Sequence, residues 1–393
     1  MRNKPRIRFK GFTEDWEQRK LSEVVTINPK TELPDEFKYV DLESVEGTNL
    51  LGFQVIKKEN APSRAQRLAS YGDVFYQTVR PYQRNNYLFE NVDKDMVFST
   101  GYAQLRSKLD SYFLLTLVQN DNFVKVVLDN CTGTSYPAIN GSELGKIIVH
   151  IPSNEVEANQ IGKVFRGIDK SITLHQRKLE KLKLAKKALL QKLFPKNRSQ
   201  FPEIRFKGFT DAWEQRKLGE VVKSYSGGTP TASNKEYYGG DIPFIRSAEI
   251  NSDTTELYIT QKGLDNSSAK IVEKGTILYA MYGATSGEVG ISKINGAINQ
   301  AILAMIPLDY DGKIIAQYLR KNKESIIGKY LQGGQGNLSA NIILELPIQL
   351  PGLEESNQIA YFLESVDNII TLHQRKLDKL QEVKKGLLQK MFI

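Results

Sequence analysis

The stretch FKGFTEDWEQRKL (Phe9–Leu21) is spelled again as FKGFTDAWEQRKL (Phe206–Leu218). Nothing in it looks catalytic, so its meaning lies in the segments downstream of each copy. Extending the alignment to Pro5–Val25 and Pro202–Val222 leaves four differences (Arg6/Glu203, Glu14/Asp211, Asp15/Ala212, Ser22/Gly219), so 17 of 21 positions match. A second pair is longer: NQIGKVFRGIDKSITLHQRKLEKLKLAKKALLQKLF (159–194) and NQIAYFLESVDNIITLHQRKLDKLQEVKKGLLQKMF (357–392) agree at 21 of 36 positions. The offsets are 197 and 198 residues. Each half therefore runs front motif, long middle, helix, while the middles, 26–150 and 223–350, share no such likeness. Alike frames around unlike inserts read as a duplicated scaffold that presents two different surfaces.

The second repeat is helical by its periodicity. Ile161, Phe165, Ile168, Ile172, His175, Leu179, Leu182, Lys186, Leu189 and Leu193 step by four and three. Ile359, Leu363, Val366, Ile370, His373, Leu377, Leu380, Lys384, Leu387 and Met391 do the same. This is the seam of a two-stranded coiled coil. At ~1.5 Å per residue such a helix is about 54 Å long, on the order of 16 base pairs of duplex. Neither helix can leave its apolar side in water, and the simplest partner is the other copy. Two similar units that close on each other do so about a twofold axis, which makes the helices antiparallel and puts the inserts at opposite ends. His175 and His373 share one seam position and invite a metal or pH-switch reading. The plainer alternative is a polar residue that fixes register. With Cys131 the only cysteine and His150 the only other histidine, the residues of a zinc site are lacking.

Composition narrows the class of function. The 393 residues suit two or three domains. The 54 Lys and Arg against 45 Asp and Glu give a net charge of +9, a surplus that attracts polyanions such as nucleic acid. One cysteine permits no disulfide within the chain and fits a reducing compartment. The basic start, MRNKPRIRFK, has no apolar run after it, and runs such as FLLTLV (113–118) are too short to span a bilayer, so a cytoplasmic location is expected. Catalytic signatures are missing. NPK at Asn28 is not an amino-methylation tetrad, and GGQGN (333–337) and YGATSGEVG (282–290) lack the lysine of a phosphate loop. Two of the three histidines lie on the coil, which leaves no Ser-His-Asp set.

With two FKGFT…WEQRKLxEV blocks, two NQI…ITLHQRKL…LLQK helices and two divergent inserts, the whole chain resembles the specificity subunit of type I restriction–modification enzymes. APSRAQR (61–67), GDVFYQTVRPYQRNN (72–86), FSTGYAQLR (98–106) and GTSYPAINGSELGKIIV (133–149) in the first insert are similar to phrases of that family's target-recognition domains. So are SGGTPTASNKEYYGGDIPFIRSAEI (226–250), KGTILYAMYGATSGEVGI (274–291) and GGQGNLSANIILELPIQLPGLEESNQIA (333–360) in the second. The resemblance implies an α+β fold. Two mixed α/β target-recognition domains with pseudo-twofold symmetry would be separated by two long helices forming an antiparallel coiled coil. It divides the chain into 1–152 (front repeat 5–25), helix 153–194, linker 195–202, 203–351 (front repeat 205–222) and helix 352–393. It implies a non-catalytic subunit that binds no cofactor. Two methyltransferase subunits would supply S-adenosylmethionine and methylate adenine. Motor-nuclease subunits, using ATP and magnesium, would cleave double-stranded DNA, and no membrane is involved. Each insert would read half of a bipartite target, with the coil setting the gap and helping to dock the methyltransferases. The alternative from another class is a standalone DNA-modifying enzyme with an unfamiliar site. A third is a coiled-coil structural protein without DNA affinity.

Base reading needs Arg for guanine and Asn or Gln for adenine. The densest supply in the first insert is Arg80, Gln83, Arg84, Asn85 and Asn86, with Tyr82 and Tyr87 interleaved. Arg64, Arg67, Tyr102, Gln104, Arg106, Thr134, Ser135 and Tyr136 are further candidates. The second insert offers Thr229, Arg246, Ser247, Glu249, Tyr282, Thr285, Asn299, Gln300, Gln335 and Asn337. Glu249 could accept from cytosine or simply pair with Arg246. Aromatic and β-branched runs such as GKIIVHI and ILELPIQL predict strands, and 112–130 and 313–331 read as helices near the end of each insert.

Overall fold

In the computed structural model, residues 4–90, 95–133, 135–196, 199–330 and 337–393 are described. The chain forms two compact units: residues 1–177 with 374–393, and residues 178–373. Both boundaries fall midway along a helix, so each unit takes half of each long helix.

The first unit contains β1 (Glu17–Lys20), β2 (Val25–Ile27), β3 (Glu36–Val40), β4 (Gln54–Lys57), β5 (Ala65–Leu68), β6 (Asp73–Gln77), β7 (Tyr87–Leu88), β8 (Met96–Ser99) and β9 (Tyr102–Ser107). Helices α1 (Ser111–Gln119) and α2 (Asp121–Asp129), strand β10 (Ile148–Ile151) and long helix α3 (Glu155–Leu193) come next. One sheet has the order β4-β3-β8-β5, another β2-β9-β6-β7, and β1 pairs with β10. Every residue of β6 is buried, because sheet and helix cover both of its faces. Residues 112–130 make two helices, not the single one expected. Asn120 ends the first, its side chain accepts from Asn122 N to cap the second, and its Nδ2 donates to Leu388 O at 2.8 Å.

The second unit repeats this plan with an insert unlike the first in sequence. It holds β11 (Glu214–Lys217), β12 (Val222–Ser226), β13 (Tyr238–Ile245), β14 (Tyr258–Ile259), β15 (Lys270–Val272), β16 (Ile277–Ala280), β17 (Val289–Ile291), β18 (Gly296–Ile298) and β19 (Ile302–Pro307). Helix α4 (Gly312–Tyr330), strand β20 (Pro347–Leu350) and long helix α5 (Leu353–Met391) complete it. Its sheets are ordered β14-β13-β18-β15 and β12-β19-β16-β17, and β11 pairs with β20. Among the described strands each unit has one parallel pairing, β3 with β8 and β13 with β18, at the same place in the fold. The glycines of SGGTP belong to this packing. A Cβ on Gly227 would lie 1.9 Å from Ile298 O, so the backbone there requires glycine.

The repeated front block is the socket that closes the helices. Arg8 donates to both carboxylate oxygens of Glu157 at 2.7 Å and to Glu14 O at 2.6 Å, and Trp16 Nε1 donates to the same carboxylate. Glu157 lies in the first turn of α3. Trp16 also packs edge-on against Phe392, just beyond the end of α5, and Ile7 N donates to Lys390 O. In the second unit Arg205 grips Glu355 at 2.7 and 2.8 Å, Trp213 meets Phe194, and Ile204 N donates to Lys192 O. Each copy of the phrase therefore holds the start of one helix and the end of the other.

Both helices have 39 residues, about 58 Å at ~1.5 Å per residue. In the first unit Phe165 touches Phe392 and Asp169 pairs with Lys384, so numbers rise on one strand of the pair as they fall on the other. In the second, Lys186 pairs with Asp367, and Leu189 and Leu193 share a core with Ile359 and Leu363. The helix segments are antiparallel in both. Ile161, Phe165, Leu179, Ile359, Leu363 and Leu377 of the stripes are buried. Ile168, Ile172, His175, Leu182, Leu189, Val366, Ile370, His373, Leu380 and Leu387 are half-buried.

Candidate nucleic-acid interface

In both units the central buried strand ends at one hydrogen-bonded node. In the first, Thr78 N donates to Gly101 O and Ile139 N donates to Thr78 O, at 2.9 and 3.0 Å. In the second, Met281 N donates to Ala301 O and Leu338 N donates to Met281 O, at 2.8 and 3.0 Å. The node gathers three loops at the end of the sheet, and most of the candidate readers lie on them.

In the first unit it brings together two stretches more than 50 residues apart in sequence. Arg80 N donates to Pro137 O, and the Arg80 guanidinium stacks 4.5 Å from the ring centre of Tyr136. Arg80 and Arg84 have φ of 54° and 56°, left-handed values that cost a non-glycine residue about 1–3 kcal/mol. The loop is held in that shape from beneath: Gln77 Nε2 donates to Gln83, Asn86 Oδ1 accepts from Gln77 N, and Asn85 Oδ1 accepts from Gly47 N. Tyr82, Gln83, Ser135 and Tyr136 remain exposed, with Tyr136 at 64%. Arg64 is exposed beside them, its carbonyl accepting from Thr100 N. Arg67, on β5, is half-buried with no partner for Nε among the described residues, and burial pulls its pKa down.

Other candidates are engaged within the fold. Tyr102 is 1% and Gln104 0% exposed, and Gln104 Nε2 donates to Leu68 O and Asp73. Arg106 makes two bonds to buried Asp73, at 2.8 and 2.9 Å. Tyr102 and Gln104 are enclosed in the floor of the domain, a correction to their reading as DNA contacts, while Arg106, its side chain 40% exposed, is held against that floor by Asp73. Asn86 is buried as well. Arg84 turns toward a cleft of about 1210 Å³ lined also by Arg6, His150, Lys384 and Lys385, where it pairs with Asp121 at 2.7 Å. Thr134 lies outside the described residues.

In the second unit Thr229 Oγ1 donates to Gln300 Oε1 at 2.6 Å, and Tyr282 OH donates to Gln300 O. Exposed Asn337 precedes Leu338 of the node, and half-buried Thr285 comes three residues after Tyr282 on the same loop. Arg246 leaves β13 just past Ile245, whose parallel partner Ile298 leads through Asn299 to Gln300. Glu249 accepts from Arg246 N and Nε, Thr255 Oγ1 and Glu256 N. Burial alone would raise its pKa, but these hydrogen bonds outweigh it and hold the carboxyl at about 2. Glu249 thus organises its loop, the plainer of the two roles the sequence left open. Ser247 is half-buried on the same turn, and Gln335 lies outside the described residues.

Sequence reasoning missed the node itself, whose shared bonds run through the backbone of Thr78, Met281, Ile139 and Leu338, with Thr78 Oγ1 also donating to Gly101 O at 2.8 Å. It also missed the Arg8–Glu157 and Arg205–Glu355 clamps. Those were within reach, since Glu157 and Glu355 obey the same 198-residue offset as the helices behind them.

Among the described residues no group of His, Cys, Asp or Glu could hold a metal, and no helix is long and apolar enough to cross a membrane. Two alike domains that differ in the side chains at one end define a recognition scaffold. The chain belongs to the type I restriction–modification DNA specificity family, whose domain matches residues 13–184 and 210–382. It is 22% identical to the HindI specificity subunit of Haemophilus influenzae over 427 residues, covering 88% of this chain and 90% of that one. The fold is also that of the type I restriction–modification S subunit from M. genitalium, with a TM-score of 0.70 at 14% identity and 99% of both chains covered. A chain solved in work on assembly and conformational transition of a type I R-M system aligns with a TM-score of 0.57 at 21% identity, over 98% of this chain and 99% of that one. The protein is accordingly a specificity subunit, a recognition component and not a catalytic one.

Proposed function

We propose that each domain reads one half of a bipartite DNA target through the loops gathered at its node. The observation that carries this is sameness of fold with difference of surface. The backbone hydrogen bonds of the node are the same in both units, yet it presents Arg80, Tyr82, Gln83 and Tyr136 in one and Thr229, Tyr282, Gln300 and Asn337 in the other. Arg67 is a further reader in the first unit and Arg246 in the second. The coil sets the gap between half-sites and docks two methyltransferase subunits. Supporting that docking, the run ITLHQRKL is identical in both helices, including residues that face water: Leu174 is 65% and Leu372 64% exposed. Identity at exposed positions fits one partner bound twice. S-adenosylmethionine, ATP and magnesium belong to the methyltransferase and motor-nuclease subunits, and the assembly works in the cytoplasm. The standalone-enzyme alternative is disfavoured by family membership.

The test is exchange of residues 26–150 for the matching insert of a relative, assayed in complex with methyltransferase subunits. One half of the methylated sequence should change and the other stay. Change in both halves, or in neither, contradicts the modular reading.

A further inference from the structure

The apolar seam by itself does not choose a register. Its stripe repeats every seven residues, so sliding one helix by a heptad, about 10.5 Å, returns apolar side chains to apolar positions. That slide is roughly three base pairs of duplex. Something polar has to break the degeneracy.

Each ten-residue stripe holds one lysine, Lys186 or Lys384, and each finds one aspartate. Lys384 Nζ lies 2.6 Å from Asp169 in the first unit, and Lys186 Nζ lies 2.5 Å from Asp367 in the second. The offset of 198 turns Asp169 into Asp367 and Lys186 into Lys384, so these are one interaction made twice. Each aspartate has another partner, from the reading domain. Tyr112 OH on α1 donates to Asp169 Oδ2 at 2.7 Å, and Gln317 Nε2 on α4 donates to Asp367 Oδ2 at 2.9 Å. The inserts share no sequence phrase here, yet both deliver a donor to the same seam acid. All four charged groups are a third exposed or less, so a slide would part each pair and leave partly desolvated charges without their partners, which is costly.

We infer that Asp169 and Asp367 are positioning residues that bolt each reading domain to the helix pair at one axial register, and so fix the half-site gap the subunit accepts. This rests on the function proposed above. The aspartates touch no base and act through the lysine and the domain helix.

The experiment uses the full chain assembled with its methyltransferase subunits. Duplexes carry the native half-sites with the gap at its native length or changed by one to three base pairs. Asp169→Lys and Lys384→Asp are made singly and together, as are Asp367→Lys and Lys186→Asp. Tyr112 OH and the Gln317 amide can each donate or accept, so the doubly reversed proteins keep a satisfied triad. Single reversals should lower the preference for the native gap by at least about tenfold, with unchanged preference for the half-site bases, and double reversals should restore it. If a single reversal does not fold, Tyr112→Phe and Asp169→Asn give the milder version of the same comparison. An unaltered gap preference in folded single variants, or no restoration in the doubles, overturns the inference alone. A wild-type complex that methylates without regard to either half-site overturns the proposed function and the inference with it.

Discussion

At the residue scale the clearest case is Glu157, 1% exposed and held by Arg8 and Trp16. Removing one member of a buried pair leaves the other charge without compensation, at a cost of about 3–5 kcal/mol. Glu157→Ala should therefore lower stability by about that much, measurable by denaturant titration; a loss below about 1 kcal/mol would mean that Arg8 finds water instead. Arg80 differs in kind. It stacks on Tyr136 at the edge of the fold, a contact with less burial behind it, so its truncation should spare stability. Arg80→Ala should instead relax discrimination at one base of one half-site by about 1–3 kcal/mol. Methylation kinetics on base-substituted duplexes decide it, and uniform weakening across all sequences would mark Arg80 as a phosphate contact.

At the element scale the helices depend on the seam. Leu179 is 6% exposed near the middle of its helix. Leu179→Asp buries a carboxylate in an apolar stripe, a change of several kcal/mol. It should lower the melting temperature and abolish methylation by the assembled complex; unchanged melting and activity would show that the helices hold together without the seam. The two reading sheets depend on different things. Their central strands β6 and β16 are buried on both faces, so hydrophobic runs replace the alternation that would show on a one-sided sheet. This fits the divergence of the inserts: burial of the central strands is preserved while identity is not.

At the scale of the whole molecule, +9 charges over 393 residues favour contact with the phosphate backbone. Binding of the assembled complex to its target should weaken with salt, with log K falling by about 0.9 per neutralised phosphate for each unit of log salt. Affinity independent of salt would remove DNA binding from the account. Mutations at Arg64 or other exposed cations that touch phosphate should reduce this slope without altering sequence preference, which separates them from the readers at the node.

The duplicated frame, the seam positions, the helical periods and the absence of a catalytic motif were all determined by the sequence, because each is a pattern in local spacing. The Asn120 break within 112–130 was legible only in hindsight, since apolar periodicity continues across it. Tertiary structure alone decided which polar residues are free. Tyr102 and Gln104 have the chemistry of DNA readers, and they became internal supports once β6 and β9 paired, Gln104 bonding Asp73 and Tyr102 OH donating to Asp41 O. It alone also set Asp169 against Lys384 and Tyr112, residues from three distant parts of the chain. The physical reason is the same in both cases: a hydrogen bond is satisfied by whatever the fold brings within about 3 Å, and no one-dimensional spacing records that.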